Sequence, residues 1–195
     1  GGGVYYLDAA DTTTADNRGS VIVAADGARW KLAHSGVLSV KQFGAKGDNT
    51  NDDSIPAQAC INAVKALGGG TVLFPTGTYN FKSKRPAGLT PWAFEDPNLF
   101  INDAENLHVV GTGESILTNS IYPNNRAEII LFYRSSHCSV RGITFQGNNT
   151  GMPTAVNNCG IGMLSNKHLT IRDNVFQGFQ GSYIASSWLF NSLIE

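Results

Sequence analysis

The chain has 195 residues, 42% of them apolar, only 15% charged, and a formal net charge of −1. That is enough apolar side chain for one good-sized core, or a core with a small appendage. The near-zero charge gives no reason to expect nucleic acid or a membrane surface as partner, and no apolar run approaches the ~18 residues of a spanning helix.

Few charges, 22 glycines and abundant Asn, Ser and Thr point to an all-β chain rich in turns. No secretory signal is visible. The chain begins "GGGVYY" without Met and stops at "LFNSLIE", inside a strand-like run; both ends read as those of a fragment. Cys60, Cys138 and Cys159 make no even framework and fit no zinc spacing, so they read as reduced core thiols.

Residues 1–38 read as a small β segment. "VYYL" is a short strand, "DAADTTTADNRGS" a polar connection, and "SVIVAADGARWKL" two strands around a two-residue Asp26-Gly27 hairpin turn. Trp30 suits a core or an interface, or stacking on a sugar. Next comes "VKQFGAKGDNTNDD". Asp48, Asp52 and Asp53 suggest cation ligands, but the alternating acids and terminal Glu of a calcium loop are missing. The better reading is a hinge: Gly44 and Gly47 turn the chain, and Asp52 or Asp53 caps the following helix. "SIPAQACINAVKAL" carries apolar residues at helical spacing, with Pro56 in the first turn and Gly68-Gly69-Gly70 at the end. The helix, about 53–67, is expected to cover the open apolar end of the β structure downstream.

From "TVLFPTGTYNF" onward the pattern is β, and a repeat emerges. "NLHVVGTG", "HCSVRGITFQG" and "HLTIRDNVFQG" align Val109, Val140 and Ile171 at an offset of 31 residues. The same offset aligns Leu107, Cys138 and Leu169, Arg141 with Arg172, Phe145 with Phe176, and Leu99, Ile130 and Ile161. A shorter copy at offset 23 takes Ile161 to Ile184 and Ile171 to Ile194. Units this short cannot bury their own apolar faces, but stacked units can. The natural geometry is a parallel β-helix with coils about 4.8 Å apart. The extra residues lie in "NNTGMPTAVNN" and around "TNSIYPNNR", at one corner of successive coils, where they would wall a groove. Cys138 shares a column with Leu107 and Leu169, and Cys159 lies elsewhere on the coil, so a bond between them is not expected.

In order, "FGAKGDNTNDDS", the amphipathic helix, "GGGTVLFPTGTY" and the coils resemble the pectate-lyase-like superfamily of right-handed, single-stranded parallel β-helices. The leading residues resemble the β neck that precedes the β-helix in bacteriophage tailspike and depolymerase proteins. The fold expected is therefore a neck over 1–38 and a β-helix with its capping helix over 39–195, truncated within the coils. The resemblance implies a homotrimer on a virion tail, made in the bacterial cytoplasm, joined to other tail proteins on its N-terminal side. It also implies recognition, and for the whole protein degradation, of a host capsule or O-antigen by a glycosidase or lyase whose groove commonly lies further along the helix. No cofactor is expected. The alternatives are a non-catalytic tail-fibre segment and a cellular pectin-degrading enzyme, the latter disfavoured by the neck.

Glycan hydrolysis calls for two carboxyl groups, about 5–5.5 Å apart for retention and about 6.5–9.5 Å for inversion. Asp173 and Glu195 are nearest to being coil neighbours and are the weak catalytic candidates; a salt-bridged outer surface is the rival reading. Arg141 and Arg172 stack one coil apart and could hold an acidic sugar. Trp92 and Tyr122, in or beside the excursions, are candidate sugar-stacking residues, with packing between chains as the rival. His137 and His168, one coil apart after Asn106, read as a turn ladder; no third ligand accompanies them and no metal site is expected. "NNT" at 148–150 matches a glycosylation acceptor, without meaning in a phage protein.

Overall fold

The computed structural model describes residues 2–83, 97–120, 128–147, 159–179 and 183–195. The chain from Val37 onward winds as a parallel β-helix with three sheets, in the right-handed sense that strand crossovers take. The first sheet has six strands: Val37–Ser39, Gly70–Phe74, Leu107–Gly111, Ser139–Arg141, Thr170–Arg172 and Leu193–Ile194. The second stacks Gly77–Phe81, Ser115–Asn119, Thr144–Gln146 and Val175–Gln177, and the third stacks Leu99–Asn102, Glu128–Tyr133, Cys159–Lys167 and Ile184–Phe190.

The register is the one the repeat requires. Val109, Val140, Ile171 and Ile194 lie side by side across four strands. So do Leu99, Ile130, Ile161 and Ile184. These columns face inward, and all but Ile184 and Ile194 are buried. Phe145 stacks on Phe176 with ring centroids 5.0 Å apart. The three cysteines are free and buried. Burial pushes their thiols up, Cys138 to about 11.

Corners repeat as faithfully as strands. Asn106, His137, His168 and Asn191 all take positive φ, between 47° and 53°, and the two histidine rings stack 4.7 Å apart. This is the expected turn ladder, and no group of metal ligands exists among the described residues. Where a corner breaks the backbone ladder, an Asn side chain of the next coil completes it. Asn166 Oδ1 accepts from Ser135 N–H at 2.9 Å while its Nδ2 donates to Phe132 O at 3.0 Å. Asn174 does the same for Ile143 N–H and Val140 O.

Each sheet begins with an edge, and three different devices close them. In the first sheet, Val37–Ser39 pairs with Gly70–Phe74. In the second, the polar loop 47–53 acts as a strand: Thr78 N–H donates to Gly47 O, Asn49 N–H to Thr78 O and Asp53 N–H to Asn80 O. In the third, the helix Ser54–Ala66 supplies one side chain. Gln58 accepts from Phe100 N–H at 2.8 Å and donates to Phe100 O at 3.0 Å, so its amide stands in for a neighbouring strand. The helix buries Ala57, Cys60, Ile61 and Val64 in the core, as expected of a cover for the open end.

The aspartates of the 48–53 loop bind backbone rather than a cation. Asp48 accepts from Thr50 and Asn51 N–H groups. Asp53 occupies the helix N-cap position but makes no side-chain cap, a correction to the sequence reading. The third helical residue is Pro56, which has no N–H to offer. The buried carboxylate turns back instead and accepts from Lys46 and Gly47 N–H at 2.6 and 3.1 Å. Asp52 takes the cap's task, accepting from Ser54 N–H at 3.0 Å. Gly44 and Gly47 turn the chain at φ 104° and 63°.

Ahead of the β-helix, Tyr5–Leu7, Val21–Val23 and Arg29–Leu32 form an antiparallel sheet with Arg29–Leu32 central. Its hairpin is longer than the two-residue turn expected: Gly27 N–H closes on Ala24 O, Ala24 N–H pairs with Ala28 O, and Gly27 takes φ 86°. Leu32 joins the main core. Trp30, by contrast, is 40% exposed and is not a core residue.

Replacing Gln58 by Ala removes two hydrogen bonds to the Phe100 backbone. Urea unfolding should show a loss of about 1–3 kcal/mol; an unchanged midpoint would contradict the edge-closing role. Burial pushes Asp52 up, but hydrogen bonds from Ser54, Ser83 and Lys82 outweigh it and bring the carboxyl down to about 2. A folded value below the ordinary ~3.9 means that its stabilisation is complete above about pH 4 and fades as pH falls toward 2. Asp52→Asn should therefore flatten the stability–pH curve over that window, as read from thermal melts.

Candidate functional site

The outer face of the third sheet is where the side-chain pattern departs from that of a plain solenoid. One outward column runs Phe100, Leu131, Gly162, Ala185 in register. The next runs Asn102, Tyr133, Leu164, Ser187. In the first column the side chains shrink along the axis, and a cavity of about 60 Å³ opens over Gly162. Glu128 lies at its side. Ile129 and Ile130, adjacent in sequence, both enter the core, so strict alternation fails here and the Glu128 side chain lies beside Gly162. A Cβ on Gly162 would meet Glu128 Cγ at 2.7 Å and Leu131 Cδ1 at 2.9 Å, so glycine is what leaves room for the acid. Glu128 is 2% exposed.

An aromatic step lies at the other end of this face. Phe100 and Tyr133 stack at 6.2 Å. The guanidinium of Arg134 sits 4.8 Å over the Tyr133 ring and forks onto Asp103 at 2.8 and 2.9 Å. The Arg134 hydrogen bond holds the Asp103 carboxyl below its usual range. This exposed pair contributes little stability, but it holds the Arg134 guanidinium over the half-buried Tyr133 ring, while Phe100 beside that ring is buried.

The chain passes from the second sheet to the third through residues 82–98, 120–127, 147–158 and 178–183. The extra residues of the longer coils belong to these connections and lie for the most part outside the described residues. Trp92 and Tyr122 belong to these connections and lie outside the described residues.

The other expected site residues sit on the first sheet. Arg141 and Arg172 are in register and exposed. Arg172 pairs with Asp173 at 3.0 Å, and the Asp173 side chain is 66% exposed at a corner of φ 56°. Beside Arg141, His108 Nδ1 lies 2.9 Å from Ser139 Oγ; burial, then Arg141, push the imidazole down. Glu195 follows the last strand, its N–H donating to Ile171 O, and is exposed. Arg141 and Arg172 are thus brought together. Asp173 is engaged by an arginine, and neither it nor Glu195 lines the cavity over Gly162. Sequence reasoning missed Glu128, Gly162 and Tyr133. The shrinking column at the 31- and 23-residue offsets was a readable signal. The place of Glu128 beside Gly162 was not, since alternation with Ile130 and Phe132 would put it inside.

Residues 1–35 match the family model of the phage tail protein small four-stranded β-sheet domain. Residues 37–88 match that of rhamnogalacturonase A/epimerase, pectate lyase-like. The mannuronan C5-epimerase AlgE4 of Azotobacter vinelandii is 33% identical over 116 residues, 56% of this chain and 19% of that protein. The capsule K2-specific depolymerase of Klebsiella phage vB_KpnP_KpV74 is 33% identical over 91 residues, 47% of this chain and 15% of that protein. The chain therefore spans less than a fifth of the length of these relatives. Among solved structures, full-length tailspike protein 2 from Escherichia coli O157:H7 bacteriophage CAB120 superposes with a TM-score of 0.56 at 21% identity, over 88% of this chain and 24% of that one. In chain order, then, a segment similar to the phage tail β-sheet domain is followed by one similar to the pectate-lyase-like family, and the described coils share the fold of the tailspike structure.

Proposed function

We propose that this chain is part of a phage tailspike on the virion tail, and that the whole protein recognises and depolymerises a host surface polysaccharide. The observation that carries the reading is the join itself: a tail-type sheet followed at once by a parallel β-helix. A tail module brings the protein to a cell surface, and a solenoid offers a long face on which successive sugars can lie. The depolymerase relative from a Klebsiella phage supports the same reading.

In this proposal residues 1–38 are the neck and 39–195 the sugar-facing β-helix. Tyr133 and Arg134 stack and position rings, with Trp92 and Tyr122 as further contacts. Arg141 and Arg172 offer paired cations to the carboxylates of an acidic repeat. Asp173 and Glu195 stand as the candidate acids of the last coil. The neck row of Leu7, Trp30 and Ile22, side by side across three strands and 50%, 40% and 39% exposed, is the face that packs against two further copies in a homotrimer.

The test is to incubate the full-length protein with a panel of purified capsular and O-antigen polysaccharides. New reducing ends are expected with at least one of them. Ultraviolet absorbance of an unsaturated product would mark a lyase, and its absence a hydrolase. Neither signal on the polysaccharide of any strain the phage adsorbs to would overturn the enzymatic reading. Sedimentation should give three times the chain mass.

A further inference from the structure

Ser139 and His108 have no part in the reading above, although Arg141 beside them does. All three belong to the outward side of the first sheet. Along Ser139–Arg141 the central Val140 is buried, Ser139 half-buried and Arg141 exposed, so the serine and the arginine share the outer face. His108, half-buried between the buried Leu107 and Val109, is in register with Ser139 on the neighbouring strand. Its Nδ1 lies 2.9 Å from Ser139 Oγ. Arg172 is held by Asp173, but Arg141 has no carboxylate partner among the described residues.

A serine hydroxyl is a weak nucleophile until a base at hydrogen-bond distance can take its proton. Neutral imidazole is such a base. Burial, then Arg141, push the His108 imidazole down, which keeps it neutral. With the ring N–H on Nε2, Nδ1 accepts from Ser139. An unengaged guanidinium on the same face is the kind of group that stabilises an oxyanion. We propose that Ser139 and His108 form a nucleophile–base pair that hydrolyses small acyl esters on the hydroxyls of a surface polysaccharide, with Arg141 stabilising the oxyanion. The polysaccharide as carrier of the ester rests on the reading above; the pair itself rests on its own geometry.

The chemistry is acyl transfer to water. Ser139 Oγ adds to the acyl carbon as its proton passes to His108 Nδ1. The ester C–O bond breaks, and the sugar oxygen leaves with that proton. Water then adds to the acyl-serine and gives a proton to His108. The serine oxygen leaves, takes that proton back, and a carboxylic acid is released. A full triad has a carboxylate behind its histidine. None acts on His108 among the described residues, so slow turnover of esters, which are more reactive than amides, is the activity expected.

The test treats the full-length protein with a fluorophosphonate probe and maps the adduct by mass spectrometry. An adduct on Ser139 is expected. His108→Asn should slow its formation about a hundredfold or more, and Arg141→Gln should slow hydrolysis of p-nitrophenyl acetate about tenfold or more. Acetate should be released from at least one O-acetylated capsular or O-antigen polysaccharide, and not by Ser139→Ala. Absence of the adduct from the unsubstituted protein would overturn the pair, whatever the folding of the variants. So would an adduct that forms as fast in His108→Asn, or acetate release that persists in Ser139→Ala. An adduct without acetate release from any O-acetylated polysaccharide would overturn the ester assignment. Acetate and adduct are read separately from reducing ends and unsaturated products. Acetate release without chain cleavage would therefore uphold this activity while removing the depolymerase reading, and cleavage without an adduct would do the reverse.

Discussion

In this protein the backbone hydrogen bonds of each coil are completed by its neighbours along the axis. No coil can satisfy its own N–H and C=O groups, so an uncovered row at either end is a standing cost. Much of the N-terminal half is organised by that constraint. The loop 47–53, the strand Val37–Ser39 and Gln58 of the helix supply the missing partners to the three sheets in turn. They are three unlike pieces of chain that together replace one coil. The acids of the loop fall into place once this is seen. Asp48, Asp52 and Asp53 hold the loop in shape by accepting from its own backbone and that of its neighbours, which leaves no carboxylate cluster for a cation.

The coils were legible in the sequence because stacking translates directly into spacing. Val109, Val140 and Ile171 must be neighbours if like residues are to share a column, and the registers agree residue for residue. The helix and its covering role were legible for a similar reason, since one periodic apolar face had to meet an otherwise open end. The loop 47–53 was not legible as a strand substitute. It is short and polar, and its pairing is with a segment about thirty residues on. Nor could the sequence show that Asp53 would abandon its cap, a consequence of Pro56 two places into the turn. The site was less legible than the fold. Arg141 and Arg172 were found through their column, but Glu128 was hidden because strict alternation fails at Ile129 and Ile130.

Separate sheets of this β-helix carry separate kinds of side chain. The third sheet leads into Arg134, stacked over Tyr133, and carries a small cavity over Gly162, while the first sheet carries the cationic pair. A polysaccharide is an extended ligand with different groups on different sides, and a solenoid displays its residues in rows at a fixed interval. Shape and charge can therefore be set on separate rows without disturbing one another. The corner residues at positive φ, mostly Asn, His and Asp, accept some backbone strain to keep that interval constant.

The change from an offset of 31 to one of 23 leaves the alignment of Ile161 with Ile184 and of Ile171 with Ile194 intact. Chain length and register are thus uncoupled at a single corner. Closing a longer excursion there adds only a logarithmic entropy term, about 0.6 kcal/mol for each doubling, while the strands on either side keep the same partners. Segments could be exchanged between related chains at this corner as cassettes, altering what the surface greets while the scaffold stays the same.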